Sequence, residues 1–378
     1  MIYLDNAATT NFKPFTVKFC TFCNMLKCNT ANPGRSGHRL SVKMGNKIFK
    51  ARDTFAKYFN LSPFDVIFTS GCTEALNLAI IGTVKKGGHI ITTTNEHNSV
   101  LRTLEKIKTD YNVEITFVES DNFFINPEKI EKSVKNSTYM IIINHTSNVT
   151  GATVDLKSIG EIAKKHHLIF VVDGAQSVGH QKINLKECNI NFLAIAGHKG
   201  IHGLPGSGAL LINFNQDLIP IKYGGTGIDS MNTFQSPNRP EGLEAGTMNY
   251  IGILAMEQGL IFTMKNFDKI NYKISSLTNY LISQLNTINR LKVFSPENNS
   301  SGVVSFIIED MSSSEISDYL NDNFNIFTRS GLHCAPLVHK NLGTQNSGLC
   351  RVSIDFTNTK RQIDKLVSAL KQLSENKN

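Results

Sequence analysis

Short apolar segments alternate with helical patterns through the first two thirds of the chain, and this alternation restricts the fold more than any other feature. Seven segments have the length of buried strands, at 66–69, 89–92, 115–118, 139–143, 168–172, 192–195 and 209–212. Amphipathic helical patterns lie at 39–60 and near 74–84, 98–109, 127–135 and 156–166. Strands that are apolar on both faces and separated by helices predict an α/β fold with a mostly parallel sheet covered on both sides.

The last third of the chain has a different pattern. A long helical pattern from Tyr250 to about Leu291 precedes strand-like segments at 302–308 and 350–354, with helices near 313–323 and from about 360. This order predicts a smaller α+β domain, and 378 residues are enough for two domains. We expect a large domain over residues 15–250 and a small domain formed by residues 1–14 and 251–378.

Composition excludes several classes of protein. The chain is 40% hydrophobic and 19% charged, as in an ordinary globular protein. Its net charge of +8 would permit an acidic partner, but the lysines are scattered and form no basic stripe with aromatic residues, so we expect no nucleic-acid binding. No apolar run approaches the roughly 20 residues of a membrane span. The seven cysteines lack secretory spacing and the first residues lack a leader pattern, which predicts a cytoplasmic protein with reduced thiols and no membrane partner.

Polar residues follow five of the predicted strands. They occupy 69–74, 96–99 and 144–148, and include Asp173 with Gln176 and His198 with Lys199. Taken singly, each has a structural explanation as a helix cap, a turn or a satisfied histidine. Ligands of a parallel α/β sheet bind at the carboxyl ends of its strands, so these residues together predict one binding crevice.

The pair Asp173 and Lys199 indicates a cofactor. The two residues are separated by roughly 25 positions, a spacing consistent with one βαβ step. A lysine amine can hold the aldehyde of pyridoxal phosphate (PLP) as a Schiff base, while a carboxylate keeps the ring nitrogen protonated. The small residues of 70–73, with Cys72 and the Thr73 hydroxyl, are typical of a phosphate cradle at the start of a helix.

Further segments, in order along the chain, resemble a known family. They are YLDNAATT at 3–10, NPGRSGHR at 32–39, EAGTMN at 244–249 and RSGLHCAP at 329–336. Together with the polar segments above, they are similar to those of the NifS-like cysteine desulfurases. That family belongs, with the selenocysteine lyases, to the class V aminotransferase group of fold-type I PLP enzymes. The resemblance implies a homodimer, PLP as the cofactor, and L-cysteine or L-selenocysteine as the substrate.

The resemblance also assigns roles at the cofactor ring. Lys199 matches the Schiff-base lysine, and Asp173 matches the partner of the pyridine nitrogen. Gln176 matches the donor to the phenolic oxygen of the ring. His97 matches the imidazole that stacks on the ring and moves protons.

The implied phosphate site contains one departure from the family pattern. Thr73 and His198 match phosphate ligands, and Thr247 matches a phosphate ligand supplied by the other subunit. Ala196, however, stands where the family has a hydroxyl residue. Losing one hydrogen bond to a charged group should weaken cofactor binding by about 1.5–3 kcal/mol unless water substitutes.

Cys334 decides which reaction is expected. It follows Arg329 and His333, whose positive charges would favour the thiolate, and Gly331 would let the loop present it to substrate. The alternative is a buried structural thiol. The resemblance implies that Asn148 and Arg351 bind the substrate carboxylate.

The implied reaction is attack of the Cys334 thiolate on the substrate sulfur. Attack leaves a persulfide on Cys334 and yields alanine, and the sulfur then passes to an acceptor protein. The compact segment around Cys334 resembles the SufS-like branch. Selenocysteine lyase, another class V activity such as transamination or β-elimination, and a silent scaffold remain open alternatives. The pathway served, for example iron–sulfur cluster assembly, is also open.

Three further cysteines form a C-x2-C-x4-C cluster, namely Cys20, Cys23 and Cys28. A structural zinc site needs four ligands, and the nearest candidate, His38, falls within the family-like segment at 32–39. We therefore expect a packed helix here and no metal.

Overall fold

The computed structural model describes residues 1–26, 31–33, 36–228, 231–236 and 238–375. Its strands are β1 (Ile2–Tyr3), β2 (Val66–Thr69), β3 (His89–Thr93), β4 (Glu114–Val118), β5 (Thr138–Asn144), β6 (Ile169–Asp173), β7 (Phe192–Ala196), β8 (Gly208–Ile212), β9 (Leu291–Val293), β10 (Val303–Ile308), β11 (Ile326–Phe327) and β12 (Cys350–Ser353). Its helices are α1 (Phe15–Leu26), α2 (Arg39–Phe59), α3 (Cys72–Gly82), α4 (Asn98–Tyr111), α5 (Pro127–Lys132), α6 (Leu156–Lys165), α7 (Tyr250–Lys265), α8 (Phe267–Leu285), α9 (Ser313–Phe324), α10 (Pro336–Leu342) and α11 (Lys360–Glu375).

A large sheet of seven strands organises the first two thirds of the chain. Its order is β2-β8-β7-β6-β5-β3-β4, and β8 is antiparallel to both of its neighbours while the other pairs are parallel. The predicted α/β fold with a mostly parallel sheet is confirmed. Because β2, β3, β5, β6 and β7 all point the same way, their carboxyl ends meet at one edge of the sheet.

The sheet is buried on both faces, as its apolar strands predict. Ile141 and Ile143 of β5 enter one core, which is covered by α2, α6 and α7. Met140 and Ile142 enter the opposite core, which is covered by α3 and α4. Successive strand residues point to opposite faces, so a strand buried on both sides must be apolar throughout.

A separate core lies in the last third of the chain. Strands β9, β10 and β12 form an antiparallel sheet in the order β12-β10-β9, and they pack with α8, α9 and α11. The strand β1 joins this part by pairing with β11. Helix α7 packs in the core of the large sheet, so the division of the chain near residue 250 remains a prediction.

The single long helical pattern expected from Tyr250 to about Leu291 was wrong in part. Two helices occupy this stretch, and Asn266 lies between them as the end of α7 and the start of α8. The chain then enters β9 at Leu291, where it pairs with β10.

The cysteine cluster near the start of the chain lies partly on a helix. Cys20 and Cys23 belong to α1, whereas Cys28 lies outside the described residues. Within the described ranges, no group of three or more His, Cys, Asp or Glu side chains could hold a metal ion. Among all the residues that the structure describes, none of the helices is long and apolar enough to cross a bilayer.

Candidate active site

One cavity of about 380 Å³ lies at the carboxyl edge of the large sheet. The cavity is lined by residues from the polar segments that follow the five parallel strands, and by residues from the last third of the chain. Those named in the sequence analysis are Cys72, Thr73, His97, Asn148, Asp173, Gln176, Ala196, His198, Lys199, Arg329, His333 and Arg351. The size is that of a typical small-ligand site.

Asp173 and Lys199 face the same cavity from neighbouring strands. Asp173 ends β6, is 3% exposed, and accepts a hydrogen bond from the Ala175 amide at 2.9 Å. The Cys72 thiol donates to the same carboxylate at 3.4 Å, and burial raises the pKa of Cys72 well above its usual range, so this thiol stays neutral. Burial lowers the pKa of Lys199 and Asp173 opposes the effect. A lowered pKa increases the fraction of neutral, nucleophilic amine.

Contacts of Nδ1 with Ser99 hold the ring of His97 in place. It is the N-cap of α4, and its Nδ1 accepts the Ser99 amide at 3.0 Å. Burial lowers the pKa of His97, with Asp173 opposing. A neutral ring whose Nδ1 accepts a hydrogen bond carries its proton on Nε2, so the free nitrogen of His97 is a donor.

The start of α3 is suited to an anion. None of the described side chains caps this helix at Gly71, and Cys72 and Thr73 of its first turn line the cavity. Unpaired backbone N–H groups and the helix dipole favour a phosphate at such a terminus. The buried Nδ1 of His198 also has no hydrogen-bond partner among the described residues, and burial lowers the pKa of His198 to about 4. The phosphate of PLP fits these donors, although Ala196 adds none.

Arg351 lies across the cavity from the lysine and is 1% exposed. Its Nη1 donates to the Asn148 carbonyl at 3.0 Å, and its Nη2 donates to Asp5 Oδ1 at 2.7 Å. Arg351 Nε and Asn148 Oδ1 are buried without a hydrogen-bond partner in the described part of the chain. The Asn148 amide donates to the His333 carbonyl at 2.7 Å, so Asn148 connects the arginine with the cysteine segment.

Cys334 is exposed on a tightly held turn and is not among the residues that line the cavity, although the adjacent His333 is. His333 and Cys334 both have left-handed backbone conformations, with φ of 51° and 58°, and Gly331 has a φ of 100°. The Asn98 amide donates to the Cys334 carbonyl at 2.7 Å. This exposure argues against the buried structural thiol considered above.

Only one of the two expected cations lies beside the thiol. Arg329 Nη2 is 3.9 Å from Cys334 Sγ. His333 is buried, and burial lowers its pKa well below its usual range, so its ring is neutral. The expectation that His333 contributes positive charge was therefore wrong, because a buried imidazole loses the hydration that stabilises its cation.

Gln176 and Thr247, two of the predicted cofactor ligands, lie in different places relative to the cavity. Gln176 lines the cavity, but its Nε2 donates to the Ala7 carbonyl at 2.9 Å. Thr247 is exposed and lies outside the cavity, in a neighbouring depression with Gly206 and Lys222. In this chain the structure does not bring Thr247 to the residues around Lys199.

Sequence reasoning missed three polar residues of the site. Asp5 pairs with Arg351, Glu74 lines the cavity and accepts the Ser70 amide at 2.7 Å, and Asn144 lines the cavity from the end of β5. Glu74 and Asn144 fall inside polar segments that were identified, so position alone could have found them. Asp5 had no local signal that pointed to Arg351.

Comparison with known proteins identifies the family. The Aminotransferase class-V profile matches residues 2–366. The chain belongs to this family. A probable cysteine desulfurase from Borreliella burgdorferi is 31% identical over 390 residues, covering 99% of this chain and 92% of the relative. One from Methanothermobacter thermautotrophicus is 29% identical over 381 residues, covering 99% and 94%.

Solved structures agree with the sequence relatives. The apo structure of a cysteine desulfurase from Thermococcus onnurineus NA1 has a TM-score of 0.93 and 30% identity, covering 99% of this chain and 95% of that one. An Escherichia coli cysteine desulfurase, at 23% identity and a TM-score of 0.88, supports the fold alone. The resemblance to NifS-like cysteine desulfurases is confirmed, as is the expectation of an enzyme of that kind.

Proposed function

We propose that the protein uses PLP to convert L-cysteine to L-alanine, with a persulfide on Cys334 that is passed to a sulfur acceptor. The observation that supports this most directly is one cavity that holds an amine and a carboxylate, with an exposed thiol at its rim. Lys199 and Asp173 supply the first two, and Cys334 lies 3.9 Å from Arg329. Relatives named as probable cysteine desulfurases match 99% of this chain, and a solved cysteine desulfurase has a similar fold.

The cavity residues would hold the cofactor through three groups. The N-terminus of α3, with Thr73 and His198, would bind the phosphate, Asp173 would pair with the ring nitrogen, and Lys199 would bind the aldehyde. His97 lines the cavity beside them. When bound, PLP supplies a ring that withdraws electrons from the substrate carbon.

The chain's own residues perform the remaining tasks. Arg351 offers a guanidinium to the substrate carboxylate, the type of group that planar bidentate pairing favours. Lys199, with its lowered pKa, accepts the proton from the substrate Cα. Cys334 Sγ attacks the substrate sulfur, so the new S–S bond forms as the C–S bond breaks and the electron pair passes to the substrate carbon. Protonation then completes alanine.

The proposal extends to partners and location. A homodimer would place Thr247 of each subunit near the other subunit's phosphate site, in keeping with its exposure on this chain. An acceptor protein would collect sulfur from the exposed Cys334. We propose a cytoplasmic location, where the described cysteines, none of which is paired in a disulfide, would remain reduced.

The test is to incubate purified holoenzyme with L-cysteine or L-selenocysteine, each with and without dithiothreitol, and to measure alanine with sulfide or selenide. The Cys334→Ala variant is compared with wild type, and Cys23→Ala, which changes a half-buried thiol on α1, is the matched control. We expect Cys334→Ala to abolish sulfide release and Cys23→Ala to retain it.

The other outcomes identify the alternatives. A selenol ionises readily and leaves without a nucleophile, so a preference for L-selenocysteine that survives Cys334→Ala would indicate selenocysteine lyase. Transamination or β-elimination of cysteine that does not need Cys334, which yields a keto acid in place of alanine, would indicate another class V activity. A colourless protein that cannot be reconstituted with PLP would indicate the silent scaffold.

A further inference from the structure

The guanidinium expected to bind the substrate carboxylate already has a carboxylate partner. Arg351 Nη2 donates to Asp5 Oδ1 at 2.7 Å, and its Nη1 donates to the Asn148 carbonyl at 3.0 Å. The arginine is 1% exposed, whereas the Asp5 side chain is 22% exposed. Asp5 is therefore the member of the pair whose side chain reaches water.

Guanidinium geometry makes the two carboxylates compete. A carboxylate can pair in bidentate fashion with the Nη1–Nη2 edge or with the Nε–Nη2 edge of an arginine. Each edge uses one of the two N–H groups of Nη2, and Asp5 accepts from this nitrogen, so a substrate carboxylate on either edge lies next to the Asp5 carboxylate. Two carboxylates at one nitrogen repel each other strongly in a partly buried site. A bidentate grip on substrate thus acts against the Asp5 contact.

The surrounding structure allows Asp5 to change partner without unfolding its segment. The Ser353 amide donates to the Leu4 carbonyl at 2.7 Å, and the Ala7 amide donates to Ser353 Oγ at 2.8 Å. These contacts hold the backbone on either side of Asp5 against β12 and do not involve its carboxylate. Arg351 Nε, buried without a partner among the described residues, is a second donor ready for an incoming oxygen.

We propose that Asp5 is the resting counter-ion of Arg351 and yields its place on Nη2 to the carboxylate of an amino-acid substrate. Asp5 then lowers the affinity for carboxylate ligands by competition, while keeping the buried guanidinium paired when the cavity holds no substrate. This inference rests on the proposed function, which makes Arg351 the substrate ligand. A purely structural role for Asp5 predicts the opposite effect, because a misplaced Arg351 would bind substrate less well.

The test titrates the holoenzyme with L-alanine, which has the carboxylate but no sulfur to release, and with ethylamine, which is the same molecule without the carboxylate. Binding is followed by the visible absorbance of the bound cofactor. Asp5→Asn keeps the shape of the side chain and an acceptor oxygen. Asp65→Asn is the control, because Asp65 also pairs with an arginine, Arg239, at 3.1 Å, and neither residue lines the cavity.

We expect Asp5→Asn to lower the Kd for L-alanine about tenfold, the equivalent of ~1.4 kcal/mol. The Kd for ethylamine should stay unchanged, and Asp65→Asn should match wild type for both ligands. A Kd for L-alanine that is unchanged or higher in Asp5→Asn would overturn the exchange, as would an equal shift for both ligands or no binding of L-alanine by wild type.

A variant-free measurement covers the case in which Asp5→Asn does not fold. In a crystal structure of wild-type holoenzyme with L-alanine, the Asp5–Arg351 distance should exceed hydrogen-bonding range, and a retained contact would overturn the proposal. Sulfide release from L-cysteine is measured in parallel. If sulfide is released but Asp5→Asn does not lower the Kd for L-alanine, the carboxylate exchange is rejected and the proposed desulfurase activity stands. If Asp5→Asn lowers that Kd but no sulfide is released, the desulfurase activity is rejected and the exchange stands.

Discussion

Replacing Glu244 by glutamine should destabilise the fold strongly, because it breaks a buried ion pair. Arg52 and Glu244 are each 6% exposed and pair through two hydrogen bonds, at 2.8 and 2.7 Å. Glu244 Oε1 also accepts the Phe68 amide at 2.6 Å, and Arg52 donates to the Val66 carbonyl. The pair thus joins α2 to the edge strand β2 and to the segment that leads to Thr247.

The expected magnitude follows from what each variant leaves behind. Glu244→Gln leaves the Arg52 cation buried without a counter-charge, which costs about 3–5 kcal/mol. The double variant Arg52→Met with Glu244→Leu removes both charges, and its main loss is the acceptor for the Phe68 amide, about 1–3 kcal/mol. The double variant should therefore be more stable than Glu244→Gln.

The assay is urea unfolding at one fixed protein concentration. Unfolding is monitored by far-ultraviolet circular dichroism, because the chain has no tryptophan for fluorescence. The exposed pair of Asp53 and Lys57 provides a control, since Asp53→Asn should cost less than about 1 kcal/mol. The reasoning is refuted if Glu244→Gln falls within 1 kcal/mol of wild type with an unchanged m value, or if the double variant is the less stable of the two.

Three other predictions concern buried groups. Burial raises the pKa of Glu96 to about 8. The contribution of Glu96 to the free energy of unfolding is therefore fully present below its ordinary pKa near 4.5 and is lost as the pH rises towards 8 and beyond. Glu96→Gln should remove that decline in the free energy of unfolding, and an unchanged slope against pH would contradict this. His202 Nε2 lies 3.0 Å from Asp355 Oδ1 with both side chains buried, and Asp355→Asn, which removes the charge of this acceptor, should lower the free energy of unfolding by about 1.5–3 kcal/mol in a urea titration. At Gly151 (φ 76°) a Cβ would lie 2.6 Å from the Val303 carbonyl, so Gly151→Ala should lower the Tm, and an unchanged Tm would show that the turn adapts.

The sheet was predictable because burial on both faces leaves a continuous apolar run that needs no tertiary information. The run 139–143, for example, lies within β5. The stretch from Tyr250 to Leu291 was harder, because its apolar spacing continues across Asn266 and hides the break between α7 and α8. The strand β9 has only three residues and is partly exposed, so its register depends on pairing with β10 and not on its own pattern.

The site was predictable where function follows a strand end and unpredictable where it depends on distant pairing. Asp173 and Lys199 could be placed at one edge because parallel strands share their direction. The charge state of His333 could not, since it depends on burial that the adjacent residues do not encode. The contact between Asp5 and Arg351 joins residues 346 positions apart, and neither neighbourhood signals the other.

The segment around Thr10 explains how the two halves of the site keep their spacing. The Thr10 amide donates to the His198 carbonyl at 3.1 Å, which fixes the turn that carries Lys199. A few residues earlier, the Ser353 amide donates to the Leu4 carbonyl at 2.7 Å, which fixes the strand that carries Arg351. One short segment, with a turn at residues 6–8, is thus bonded to both elements, and its length limits how far apart they can lie. The separation between amine and guanidinium is therefore limited by the backbone of this segment, so an insertion between Leu4 and Thr10 should weaken binding of L-alanine more than binding of ethylamine, as measured by cofactor absorbance.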